Sequence, residues 1–411
     1  MEGETPPASK VLDDEDLLAE IVVRVGCPIS LVRAAVVCKR WLTLASDRAF
    51  LRRFRKLHPP RLLGFYHAQR LYQRAVTRFF PMLPQHVAPE LAAVVRRSSR
   101  FRLDSREAAE TDMLGCWNGR VVTSRLRTVL HKYHNEHHNE LRSENIFAVV
   151  VHSPLCPARG MVVTPALPLP SRHEGNFCTY RQLFSDEEGQ VWFYLYVTVK
   201  KNARKEMKST LHVYVLQNDD DAWRTQLTLA VDYFFYAKSV PAAMLTGNKI
   251  YMASALHEII VLDLTASTSY TMQLPHGVDF RVTGTTMLSR ADDPSDFCLI
   301  HAKELQLHVW LNKRGNWLPV HTICLREMCA RFLQDDPTAI LEINHVGDYT
   351  TKFLFLKMGR WAFYLDVKCR SLHKLYEMTK EDQYFARIYP FTMSWPPIFP
   401  ALRDAHARFA S

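Results

Sequence analysis

The sequence predicts an α+β chain: a small N-terminal three-helix segment followed by a large all-β domain, a β-propeller of about six blades. Three observations carry this. Apolar residues recur at helical spacing up to Leu57; after Pro60 the texture changes to short strands rich in branched and aromatic residues; and the second half of the chain repeats itself. The 411 residues at 47% hydrophobic suffice for one large core and one small one.

In the first predicted helix, Leu17, Leu18, Ile21, Val22 and Val25 form one face, with Asp13 to Asp16 at the positive end of the helix dipole. Gly26 and Pro28 break it, and Ser30 is placed to cap a second helix. In that second helix Leu31, Ala34, Ala35, Cys38, Leu42 and Ala45 make one stripe. Val36, Val37, Trp41 and Leu44 widen it beyond an ordinary core face, with Cys38 and Leu42 read as facing inward. Asp47 caps a third helix that carries Phe50, Leu51, Phe54 and Leu57 and stops at Pro59 and Pro60. Three short helices cannot bury this much apolar area among themselves, so a further surface is expected to cover part of it.

These residues form a pattern: Leu17-Leu18 with Glu20-Ile21, then Ser30-Leu31-x-Arg33, Val37-Cys38-Lys39-x-Trp41, and Ser46-Asp47-x-x-Phe50. It resembles an F-box, in the form found in a large plant family of F-box proteins, and spans about an eighth of the chain. The resemblance implies docking on the Skp-family adaptor of an SCF ubiquitin ligase, and through it on cullin, with Leu12, Leu17, Leu18, Ile21, Val25, Leu31, Val37, Trp41 and Leu44 as adaptor-binding residues. The family usually opens Leu-Pro, whereas here Asp13 follows Leu12, which implies weaker or rearranged docking at that end.

Beyond Pro60 the strand signals are "NGRVV" from Asn118, "FAVVVHSPL" from Phe147, "GMVVTPALPLP" from Gly160 and "QVWFYLYVTVK" from Gln190. "LHVYVLQNDDDAWRTQ" from Leu211 resembles "LHVWLNKRGNWLPV" from Leu307, with Trp223 and Trp317 opening the next strand in each. "KIYMASALHEIIVLDL" from Lys249 resembles "KFLFLKMGRWAFYLDV" from Lys352, ending in Leu262-Asp263-Leu264 and Leu365-Asp366-Val367. The offsets, 96 and 103 residues, imply one unit per roughly 50 residues, the period of a kelch-type blade. The F-box family has a β-domain whose blades and closing "IYPF"-like segment resemble these, here Ile388 to Phe391. The division expected is an F-box at 10–60, a linker and poorly defined first blade at 61–112, and a propeller-like substrate-binding domain at 113–405.

Other chemistry is sparse. "HKYHNEHHNE" holds His131, His134, His137 and His138 but lacks the HExxH spacing, and is read as an extended polar loop, with no metal and no cofactor expected. No GxSxG, Walker loop or GxGxxG is present, so no catalytic residue is assigned. Asp263 and Asp366 are read as satisfying turn backbone, and Trp192, Trp223, Trp310, Trp317 and Trp361 as blade packing. The nine scattered cysteines fit reduced, mostly buried thiols, and no run of about 18 apolar residues could span a bilayer. A cytoplasmic or nuclear protein is expected. Net charge is +10, with 17 basic against 5 acidic residues between Leu31 and Glu110, a solvated Arg-rich face or an acidic partner's site before a nucleic-acid one. The functional expectation is a non-catalytic substrate-recognition subunit with an unknown protein target. The alternative is a propeller scaffold or glycan-binding protein with a degenerate F-box.

Overall fold

The computed structural model describes residues 12–399 apart from 59–60, 72–73, 83–88, 102–110, 136–137, 170–175, 187–189, 202–206, 218–219, 232–242, 254–257, 279, 281–283, 292, 294, 334–338, 347–352, 379–386, 395–396 and 398. Two compact units emerge: residues 63–391, and residues 1–62 with 392–411.

In the smaller unit the chain forms α1 (Glu15–Val23), α2 (Pro28–Ala35), α3 (Lys39–Ser46) and α4 (Arg48–Leu57). The Asp14 carboxylate caps α1 by accepting from the Asp16 and Leu17 N–H groups, and Asp47 caps α4 through Phe50 N–H at 2.8 Å. Ser30 is not a cap. Pro28 takes the first helical position, where its missing N–H costs nothing, and Cys27 precedes it. The long second helix expected from the sequence is two helices, because the chain leaves helical geometry at Val36, Val37 and Cys38. The doubled apolar stripe therefore belongs to two short helices with different facing. Cys38, expected inside, is exposed at the start of α3.

The larger unit is a six-blade β-propeller. Blade 1 orders β23 (Arg387–Thr392), β1 (Leu62–Leu71) and β2 (Arg74–Pro81), so the chain closes by pairing its last strand with its first. Helix α5 (Pro89–Ser99) follows β2, and the buried Tyr66 hydroxyl donates to Ser98 O at 2.9 Å. Four-stranded meanders follow. Blade 2 is β3 (Thr111–Trp117), β4 (Arg120–Asn135), β5 (His138–His152) and β6 (Met161–Val163). Blade 3 is β7 (Asn176–Ser185), β8 (Val191–Lys201), β9 (Met207–Gln217) and β10 (Arg224–Val231). Blade 4 is β11 (Met244–Thr246), β12 (Lys249–Ala253), β13 (Glu258–Asp263) and β14 (Thr268–Gln273). Blade 5 is β15 (Thr286–Arg290), β16 (Phe297–Lys303), β17 (Gln306–Lys313) and β18 (Asn316–Cys324); α6 (Arg326–Leu333) leads to blade 6, β19 (Leu341–Val346), β20 (Phe353–Met358), β21 (Trp361–Asp366) and β22 (Ser371–Glu377).

The core lies between blades, because each sheet has two apolar faces and each face meets a neighbour. Leu195, Val197 and Val213 of blade 3 pack with Ile250, Ile260 and Leu262 of blade 4. Tyr251 and Val261 of blade 4 pack with Phe297 and Leu299 of blade 5, and blade 5 joins blade 6 through Leu307, Leu356 and Phe363. First strands are also tied by polar bonds. Arg181 pairs with Asp112 at 2.8 Å, Gln182 Nε2 donates to Ala243 O at 2.7 Å, Arg290 Nε donates to Leu245 O at 2.8 Å, and the Tyr389 hydroxyl donates to Met113 O at 2.8 Å.

The sequence repeat is a blade repeat. Leu211 and Leu307 both lie on third strands, and Trp223 and Trp317 both lie at the entry to fourth strands, Trp223 just before β10 and Trp317 as the second residue of β18. Each indole N–H donates to a backbone carbonyl at the outer side of the preceding blade, Trp223 to Pro165 O at 3.0 Å and Trp317 to Gln273 O at 2.8 Å. Asp263 and Asp366 end third strands and accept turn N–H groups, those of Thr265 and Ala266 in one case and of Cys369 in the other. Trp192 and Trp361 are buried and Trp310 is half-buried between blades 4 and 5.

The histidine-rich stretch is not an extended loop. Its backbone extends the β4–β5 ladder, with His131 opposite Arg142, His134 opposite Asn139 and Asn135 opposite His138; Glu136 and His137 lie outside the described residues. The thiols are also less buried than expected: Cys298 and Cys329 are buried, but Cys38, Cys156, Cys324 and Cys369 are exposed. Cys27, Cys38, Cys116, Cys156, Cys298, Cys324, Cys329 and Cys369 are free.

Candidate functional site

The helical unit has its own core: Leu18, Val22, Val23, Leu31, Ala35, Leu42, Ala45, Phe50 and Phe54. Leu18 and Leu31, expected on the docking surface, are 1% and 0% exposed and reach no surface at all. Each lies on the inner side of its helix, and Leu18 is one position round from the outward-facing Leu17, which is why the pattern alone did not separate them. Leu17 and Ile21, four apart on α1, are 47% and 45% exposed, and Leu12 is 39% exposed. Val37 is 66% exposed because it lies in the break between α2 and α3, and Val36, absent from the expected set, is 64% exposed for the same reason. Val25, Trp41 and Leu44 are half-buried, with Trp41 and Leu44 packed against the unit's own core.

Arg40 draws part of this surface together. Its guanidinium donates to Leu12 O at 2.9 Å and to Asp13 O, with the Asp13 and Glu15 carboxylates at 3.8 and 3.9 Å. The start of α3, carrying Val37 and Trp41 on either side of it, is thereby held to the segment that enters α1. Nothing in the apolar periodicity marks this arginine. Asp13, where the related pattern has proline, supplies a carbonyl and a carboxylate to this clamp.

A second unforeseen member comes from the far end of the chain. Leaving β23, the Met393 N–H donates to Arg61 O at 3.0 Å, Pro397 is buried, and Phe399 packs against the helical core. Elsewhere on this unit Glu20, Val23, Arg24, Arg53, Leu57 and His58 line an open cleft of about 340 Å³. Glu20 pairs with Arg53 across it, and a ring nitrogen of His58 hydrogen-bonds Val23 O at 2.8 Å. Its polar groups satisfy one another. Among the described residues no group of three His, Cys, Asp or Glu side chains is placed to hold a metal, and no helix is long and apolar enough to cross a membrane.

Six radial sheets with cores between them, preceded by a small unit of short helices, define a β-propeller protein with a helical N-terminal module. Residues 112–399 match the family described as "F-box protein AT5G49610-like, beta-propeller", and the chain belongs to that family. Glu15–Leu57 fits a small helical F-box-like segment, outside the matched range. No curated protein matches the chain. Among solved structures it is similar to an acylaminoacyl peptidase in complex with a chloromethyl ketone, at TM-score 0.37 and 6% identity over 76% of this chain and 46% of that one. It is also similar to a protein from Bacteroides fragilis NCTC 9343 provisionally assigned as a 6-phosphogluconolactonase, at TM-score 0.35 and 9% identity over 78% and 84%. A third is the WD40 domain of SCAP from fission yeast, at TM-score 0.29 and 12% identity over 57% and 53%. At these scores the likenesses carry no argument about activity.

Proposed function

We propose that this chain is the substrate-recognition subunit of an SCF-type cullin-RING ubiquitin ligase. The helical module binds the Skp-family adaptor, and through it cullin; the propeller binds a target protein. The chain contributes position rather than acid, base or nucleophile, because holding a target lysine near a charged thioester raises its effective concentration. Such a subunit works in the cytoplasm or nucleus.

The observation that carries this reading is the exposure of Leu12, Leu17, Ile21 and Val37 on a module whose own core is already filled. Burying such side chains is worth about 1.5–3 kcal/mol each when they start fully exposed. At roughly half exposure the four together favour a partner by several kcal/mol, before association costs are met. Trp41 is a weaker anchor than its size suggests, since part of it already packs internally.

The test is a binding titration of the full-length protein against purified adaptor. Ile21→Asp and Val37→Asp place a charge in the interface while touching no core residue, and each is expected to weaken binding by about tenfold or more, or about 1.4 kcal/mol. The melting temperature should stay as in the wild type. Wild-type affinity in both variants would sink the adaptor reading.

A further inference from the structure

Blade 2 ends in an outer strand unlike those of the other four-stranded blades. β6 is three residues, Met161, Val162 and Val163, whose side chains are 61%, 61% and 48% exposed. It pairs with β5 through His152–Met161, Val151–Val162 and Val150–Val163, and is the terminal strand of its sheet. The next N–H, that of Thr164, donates inward to Val149 O at 2.9 Å. Alternation along an antiparallel ladder then turns the N–H and C=O of Val162 toward β5 and those of Met161 and Val163 outward.

Among the described residues no strand pairs beyond β6, and an apolar edge of this kind is a template for another strand; the outer strands of blades 3 to 6 are more polar, with one exposed large hydrophobic each on β14 (Tyr270) and β18 (Leu318). β22 carries His373, Lys374 and Glu377; β18 carries Pro319 and His321; β10 carries Arg224 paired with Asp220 at 3.0 Å. β14 is mostly hydroxyls and amides, with Lys249 Nζ 5.4 Å from the Tyr270 ring centre. On β6 the protection begins only after the strand, at Pro165 and Pro168.

One cation, Arg159, stands at the start of this edge, and a second, Arg120, lies two strands further in. Arg120 is the first residue of β4, and Arg159 ends the short turn Pro157–Arg159 that leads into β6. Among the described residues no carboxylate pairs with either. They feel each other: burial first, and then the charge of Arg159, lowers the Arg120 pKa. The site thus combines outward backbone donors and acceptors, three apolar side chains and an uncompensated positive end.

We propose that β6 is a docking edge for an extended segment of a partner protein, which adds antiparallel to blade 2 as a further strand. Its apolar residues lie along Met161 to Val163, and acidic residues at its C-terminal end lie beside Arg159. Main-chain bonds supply affinity, and the acidic end fixes direction and register. This inference does not rest on the ubiquitin-ligase reading.

The test uses the full-length protein and a fluorescent peptide of sequence Ser-Thr-Val-Thr-Val-Thr-Asp-Asp, with a control ending Lys-Lys. The acidic peptide should saturate, bind at least about tenfold more tightly than the control, and slow amide exchange at Met161 and Val163. Val163→Pro removes one outward N–H and no inward one, so it should abolish binding with the melting temperature retained; Val162→Lys, which puts a charge on the edge, is the second variant. Arg159→Glu should reverse the preference between the two peptides. Absence of saturation, equal binding by a folded Val163→Pro protein, or sedimentation showing that β6 instead pairs two copies of this chain would overturn the proposal.

Discussion

The helical module and the propeller treat apolar surface differently. Leu12 to Leu57 holds six of the twelve exposed large hydrophobic residues found among the described residues, and the much longer propeller holds the other six, three of them on β6. Repetition is the cause. A blade has two apolar faces and each meets a copy of the same fold, so Leu195 or Phe297 finds a neighbour automatically. Four short helices make one small core and then run out of partners. Exposed apolar residues in the module therefore point to an external surface, whereas in the propeller five of the six lie on outer strands and the sixth, Ile340, lies in the loop that enters blade 6.

The largest expected effect tests the repeated half. Trp223 is 5% exposed, packs among Tyr194, Tyr214 and Leu216, and donates to Pro165 O, so Trp223→Ala leaves a cavity and removes one of the two donors to that carbonyl, the other being the Thr164 hydroxyl. The expected loss is about 3–5 kcal/mol, with Trp317→Ala smaller because its ring is half-buried. Urea unfolding followed by tryptophan fluorescence and circular dichroism measures both. Equal, small losses would mean that interblade packing is not what holds the propeller.

The second prediction sets a core and a surface leucine of the module side by side. Leu31→Ala should cost about 2–5 kcal/mol of module stability, while Leu17→Ala should change it by less than about 0.5 kcal/mol. Leu17→Ala should instead reduce adaptor affinity. A Leu17 variant as unstable as the Leu31 variant would show that α1 packs with the opposite face inward.

Much of the propeller was legible because its signals are local and repeated. Two third strands aligned at Leu211 and Leu307, and the two tryptophans and two aspartates took equivalent places. Asp47 was legible as a cap for a similar reason, since capping needs only the next three residues. The break at Val36 to Cys38 was not, because apolar periodicity runs straight through it and no glycine or proline marks it. Nor were the Arg40 clamp on Leu12 and Phe399 on the helical core, contacts that join distant chain segments; β23, which pairs with β1, was legible as a closing segment only through the family resemblance. The histidine-rich arm of β4–β5 escaped because its pairing is made by backbone bonds, which impose no pattern on side chains.

A smaller effect follows from pH. Burial holds His152 and His212 below the ordinary histidine pKa, His152 with its ring nitrogen 3.1 Å from the Thr123 hydroxyl and His212 between Thr198 and Thr228. Their folded pKa values lie below the unfolded value of about 6.5. The unfolded chain therefore binds more protons in that window, and stability falls as pH drops from about 6.5 through the folded values. Asp263 acts further down. Its bond to Lys249, followed by that to the Ala266 N–H, lowers its pKa, so its contribution is present above about pH 4 and lost below. Melting curves from pH 8 to 3 should show the first decline flattened in a His152→Gln, His212→Gln double variant and the second flattened in Asp263→Asn. A wild-type propeller unmoved between pH 7 and 5 would mean that neither histidine resists protonation.

The smallest effect lies at a place where the repeated frame overrides local preference. The two-residue hairpins after β3 and β17 use Asn118-Gly119 and Arg314-Gly315, with a glycine at one of the two positive-φ positions. The hairpin between β16 and β17 has no glycine: Glu304 and Leu305 take φ of 51° and 62°. Left-handed backbone costs an ordinary residue roughly 1–2 kcal/mol, and here the flanking strands, paired along their whole length, hold it in place. Leu305 also packs on the blade 5–blade 6 core, so replacing it would mix packing with backbone strain. Glu304 is exposed and offers the cleaner change. Glu304→Asn keeps a polar surface residue and substitutes one that tolerates this conformation. It should raise stability by about 0.5–1 kcal/mol, read as a higher urea midpoint at unchanged slope. A lower midpoint would show that the Glu304 side chain contributes more than its backbone costs, and that this turn is set by the residue rather than by the strands on either side.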